Sequence, residues 1–209
     1  MDTPAPAYNR TLAFTASILG AVLFSAAFWA TSDGGLLPVN WPDWMSSPVQ
    51  FTVLFALPLG LVLSSMGRLK PLGLVYLLLA MTAVHWWAMW AAIEVATAND
   101  YGRFGGVLGG LAGGALGAVG SWVMLMLMGS GLRSAKAVLI MLAATIGLAL
   151  IGAYGVGIGS FTNLVAFIGG REFASPDLDP PSLIVTLYLP WQIAYGAALA
   201  SLFEHHRAR

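Results

Sequence analysis

The chain has 209 residues, 58% of them hydrophobic and 9% charged, with nine basic against nine acidic side chains and a formal net charge of zero. A mean hydropathy of +0.81 excludes an ordinary water-soluble domain, which has too little interior to hide so much apolar surface. Balanced charge and scarce Lys and Arg exclude nucleic acid as a partner. The absence of cysteine excludes disulfides, thiolate metal sites and thiol chemistry.

Six stretches are long and apolar enough to cross a bilayer: Thr11–Ala30, Pro48–Met66, Leu72–Ala96, Gly105–Met128, Ala137–Gly157 and Leu183–Phe203. Backbone amides in hydrocarbon must be satisfied within each segment, and no stretch alternates with period two, so these spans are helices and not barrel strands. The expected fold is all-α, a polytopic transmembrane bundle of six membrane-spanning helices with one short outer interfacial helix. Residues 1–10 and 204–209 flank a single membrane domain, 11–203, as short cytoplasmic tails. The lipid bilayer is thus the first partner the sequence implies.

The first span follows Arg10 and carries Ser25-Ala26-Ala27 near its end, as a signal peptide would. Its length, together with Phe28 and Trp29 at the would-be cleavage point, favours a retained helix. The loop from Thr31 to Ser47 holds Trp41, Pro42 and Trp44, which suit an aromatic belt at the outer headgroup level. The second span carries Pro58, which removes one intrahelical hydrogen bond and kinks the helix.

The third span holds the ionisable residues of the membrane interior, His85 and Glu94. Burying such groups is costly, which makes each a functional candidate. His85 lies near the midplane and Glu94 near the outer boundary. Nine residues at about 100° each set them on opposite helix faces, so they do not form a proton-transfer pair or a shared metal site. Trp86, Trp90 and Glu94 instead make one stripe at i, i+4 and i+8, which fits either a cationic or aromatic ligand held through ring faces and charge, or an aromatic girdle with a solvated glutamate. His85, on the face of Met81 and Met89, is expected to be a hydrogen-bonded packing residue.

The fourth span opens with eight glycines within Gly105–Gly120, seven of them in two interleaved rows, Gly105, Gly109, Gly113, Gly117 and Gly106, Gly110, Gly114. Residues four apart share a face, so the helix presents a broad smooth strip of glycine-zipper type that must be covered on both rows, within the chain or across a homo-oligomer. The turn after it contains Gly129-Ser130-Gly131. A serine nucleophile needs its base within hydrogen-bond reach, and Ser130 sits at the opposite membrane edge from the half that holds His85.

Between Ala137 and Ile168 the chain is almost continuously apolar. As one helix it would run about 48 Å, well past a hydrocarbon core of about 30 Å. A break is therefore expected among Gly152, Gly155, Gly157 and Gly159, leaving Phe161–Ile168 as the interfacial helix and Arg171–Ser182 as an external loop. The sixth span contains Pro190, flanked by Tyr188, Gln192 and Tyr195. Broken membrane helices of this kind often frame substrate sites. The tail pair His205-His206 lacks further ligands and makes poor metal geometry.

The basic residues are sorted. With both termini on one side, that side collects Arg10, Arg68, Lys70, Arg133, Lys136, Arg207 and Arg209, and the other keeps Arg103 and Arg171. The positive-inside rule then places both termini in the cytoplasm, for a multi-pass protein of an inner membrane. No catalytic or metal-ligating group emerges, and no cofactor is specified. The functional expectation is small-molecule transport or substrate binding at a site open to the extracytoplasmic side, formed by Trp86, Trp90, Glu94, Tyr188 and Gln192. The alternative is a non-catalytic structural or assembly subunit of a larger membrane complex.

Overall fold

A computed structural model describes residues 7–32, 48–99, 104–128, 134–173, 176 and 178–204. Within them the chain forms α1 (Arg10–Thr31), α2 (Pro48–Ser65), α3 (Pro71–Ala98), α4 (Gly105–Met128), α5 (Ala135–Ile158), α6 (Phe161–Ile168) and α7 (Pro180–Phe203). All but α6 are long and apolar enough to span a membrane, six in number as the sequence predicts.

Local chemistry fixes the helix ends. The Asn9, Ser134 and Ser160 side chains accept from the amides of Leu12, Ala137 and Asn163, capping α1, α5 and α6. Pro71 opens α3 at the first helical position, where its missing N–H costs nothing. The same logic corrects one expectation. Pro180 and Pro181 belong to the first turn of α7 and not to an external loop, because Asp179 accepts from Ser182 N at 3.2 Å and proline is pre-set for that turn.

Two of the spanning helices carry a widened π turn. In α5 it occupies Tyr154–Ile158 and ends at Gly159, whose φ of +71° lies in the left-handed region that glycine tolerates. The Gly159 amide donates to Tyr154 O at 2.6 Å, and the chain then turns into α6. The break thus falls at the last of the expected glycines. In α7 the π turn is Ile184–Tyr188, directly before Pro190. A proline ring crowds the carbonyl four residues back, and a wider turn accommodates it. The two π turns touch, with Thr186 Oγ1 donating to Gly155 O at 3.4 Å.

The helices make a closed ring. Each of α1 to α5 packs on its sequence neighbours, and α7 returns between α5 and α1. Gly196 of α7 sits on Ser17 of α1, and Gly20 of α1 lies on the Phe55 backbone of α2. Between the ring members lies a core that includes Phe24, Leu59, Leu77, Leu125, Tyr195 and Leu199. Large apolar side chains point outward all round, among them Leu79, Leu139, Ile146 and Leu150. A water-exposed surface of that kind is unusual for a soluble monomer.

One end of the ring is tied by its termini. The Tyr8 hydroxyl donates to Ala200 O at 2.5 Å, Arg10 donates to Ser201 Oγ at 2.8 Å, and the Arg68 guanidinium lies 5.0 Å over the Tyr8 ring. Burial pushes the Tyr8 phenol up to about 12 against the pull of Arg68, so it remains a donor across the ordinary pH range. The start of α1, the α2–α3 turn and the end of α7 therefore share one end, as an even number of spans demands.

Candidate functional site

The site is built on the inner face of α3. Ala88, Ala92 and Ala96 repeat every four residues and meet the first glycine row of α4. A Cβ placed on Gly113 would stand 2.8 Å from Ala92 Cβ and 2.9 Å from Ala88 O. The second row meets α5, where Gly110 and Gly114 lie against the backbones of Gly152 and Leu148. Both rows are thus covered by helices of the same chain, backbone on backbone.

Beside this junction, toward α2 and α7, a space opens. A cavity of about 360 Å³ is bounded by Gly110, Gly113, Gly114, Gly117 and Ser121 of α4, and by Leu183, Leu187, Tyr188, Trp191 and Gln192 of α7. The α3 wall includes Met81, His85, Ala88, Met89 and Ala92, and Thr52 and Phe55 of α2 complete it. It reaches Pro48, Ala96 and Leu178, at the end of the ring opposite Tyr8 and Arg68. Its volume falls in the range of small-molecule pockets, which are mostly apolar with a few placed polar groups.

Those polar groups have identifiable states. His85 Nδ1 is 2.5 Å from Thr52 Oγ1, and Ser121 Oγ donates to Gly117 O at 2.6 Å within its own helix. The Tyr188 ring packs on Phe24 at 5.1 Å, edge-on to Phe28 at 5.5 Å and edge-on to His85 at 5.8 Å. This aromatic box fixes both Tyr188 and His85. Trp191 stacks on Tyr195 at 5.0 Å, and its ring edge occupies the space that a side chain at Gly117 would need. Gln192 is 4% exposed, and its Oε1 has no hydrogen-bond partner among the described residues. An unpaired buried acceptor costs about 1–3 kcal/mol. Among the described residues that line the cavity there is no Asp, Glu, Lys or Arg.

The five residues singled out from the sequence are divided by this geometry. Tyr188 and Gln192 line the cavity. Trp86, Trp90 and Glu94 are exposed and lie outside its wall. They sit two residues, or about 200°, from the Ala88–Ala92–Ala96 face, which is the opposite side of α3. His85, expected to be a hydrogen-bonded packing residue, has that hydrogen bond and also faces the cavity. Thr52, Ser121 and Trp191 are the wall residues that the sequence did not flag. The four-residue alanine repeat on α3 was the available signal, since small residues mark the side where another backbone approaches. Trp41, Pro42, Trp44, Ser130, His205 and His206 lie outside the described residues.

Among the described residues no three His, Cys, Asp or Glu side chains gather in metal-binding proximity. No protein-family model, curated protein or solved structure matches this chain. Its chemistry has to be argued from the cavity alone.

Proposed function

We propose that the chain is a multi-pass membrane protein that binds a small molecule in the cavity inside its helix ring, as a transporter or a substrate-capturing protein does. One observation carries this reading: a ligand-sized chamber with an apolar wall has at Gln192 a buried acceptor, Oε1, with no partner among the described residues. Folded cores normally satisfy such groups. The basic sorting puts the Arg68 end in the cytoplasm. On that orientation the end of the cavity at Pro48, Ala96 and Leu178 faces outward. The π turns beside Leu187 and Tyr188 support the same reading, since π turns within helices often mark functional sites.

The test is binding of naphthol, a neutral bicyclic probe, to the chain in lipid nanodiscs. A saturable component is expected, weakened at least about tenfold by Leu183→Trp, which adds bulk at a wall residue of α7 outside the α3–α4 seam. Naphthol uptake that is purely partitioning, identical in both proteins, favours a structural or assembly subunit instead.

A further inference from the structure

The cavity's lining restricts what occupies it, and this step rests on the binding reading above. We infer that the ligand is an uncharged, flat, largely apolar molecule carrying one N–H or O–H donor, which pairs with Gln192 Oε1.

Three features argue for it. The first is charge. Among the described residues of the chamber wall there is no Asp, Glu, Lys or Arg, and an ion moved beside them would lose hydration with no opposite charge from them to replace it. Glu94, the carboxylate of α3, is exposed on the far side of that helix and cannot serve as counter-charge.

The second is shape. Four glycines of α4 give one wall bare of side chains, while Phe28, Phe55, Tyr188 and Trp191 contribute rings around it. A smooth backbone surface edged by rings gains the most contact from a flat ring system, which also meets aromatic edges and faces favourably.

The third is hydrogen-bond polarity. Ser121 and Thr52 are already engaged, with Gly117 O and His85 respectively. Gln192 lines the cavity, and its buried Oε1 has no hydrogen-bond partner among the described residues. It sits one turn from Tyr188, whose ring is held by Phe24, Phe28 and His85. A ligand donor satisfies this acceptor, whereas a ligand offering only acceptors leaves it unpaired and loses the discrimination that buried polar groups confer.

The experiment compares four probes with one ring system in nanodiscs: naphthol, methoxynaphthalene, naphthoate and naphthylmethylammonium. Saturable binding is measured for the full chain, for Gln192→Leu and for Leu183→Trp. Naphthol is expected to bind about tenfold more tightly than methoxynaphthalene to the native chain, after correction for their partitioning into probe-free nanodiscs. The two should become equal in Gln192→Leu, and both ions should show no saturable binding. The native-chain comparison needs no variant and stands even where Gln192→Leu fails to fold. Equal native affinities, or tighter binding of methoxynaphthalene, overturn the donor assignment. Saturable, Leu183→Trp-sensitive binding of either ion overturns the neutral class while leaving the site in place. No saturable binding of any of the four overturns both this inference and the site.

Discussion

Two helices that wall the cavity, α4 and α7, do so by opposite means. Helix α4 gives up its side chains. Its glycine rows let α3 and α5 close on it backbone to backbone, and where those helices part, the same glycines become a bare wall. Helix α7 works through large side chains instead. Tyr188, Trp191 and Gln192 flank a proline next to a π turn, with Tyr188 held by ring contacts to α1 and α3 and Trp191 stacked on Tyr195 of its own helix. Space in this helical bundle thus comes from pairing a helix that has nothing to fill a gap with one whose rings are fixed by stacking. Substitutions on α4 should therefore strike the fold, and those on α7 the chemistry of the chamber.

The largest effect is expected at the α3–α4 seam. In Gly113→Leu the first side-chain atom already meets Ala92 Cβ at 2.8 Å and the Ala88 carbonyl at 2.9 Å, both on a packed helix. The helices must separate, at a cost of at least about 3 kcal/mol. Thermal unfolding in detergent should show a large loss of stability or no folded protein. The same residue type on the facing helix provides the contrast. Gln192→Leu removes an unpaired acceptor from an apolar wall, so stability should hold or rise, while the preference for a donor ligand disappears. A Gln192→Leu protein as damaged as Gly113→Leu would erase the distinction between the two helices. The smallest effect belongs to Glu94→Gln. Glu94 is exposed and lies outside the cavity wall, so naphthol affinity should be unchanged and stability should shift by less than about 0.5 kcal/mol. A strong loss of binding in that variant would restore the outer stripe of α3 to the site.

Much of this arrangement is legible in the residues. Length and hydropathy set the helices, and the two glycine rows announce two close neighbours. Pro190 and its polar flanks point to the part of α7 that lines the chamber. On α3 scarcity of charge points away from the cavity wall. It draws attention to Glu94 and the tryptophans beside it, although the small residues Ala88, Ala92 and Ala96 mark the inward face one half-turn away. The Thr52–His85 bond joins positions 33 apart in sequence, so no local pattern foretells it. The π turn before Pro190 follows from proline sterics only once the rest of α7 is held in place by its neighbours.

The central claim, a small-molecule chamber inside the ring, is tested most directly by cysteine chemistry on this cysteine-free chain. Ser121 and Leu125 lie one turn apart on α4 and are almost equally buried, at 2% and 1% exposure, but Ser121 lines the cavity and Leu125 packs in the core. With a small neutral thiol reagent, Ser121→Cys should react at least about tenfold faster than Leu125→Cys, since reactivity at a matched thiol follows access. Bound naphthol should slow the first and leave the second unchanged. Equal rates at the two positions, untouched by naphthol, would contradict the chamber.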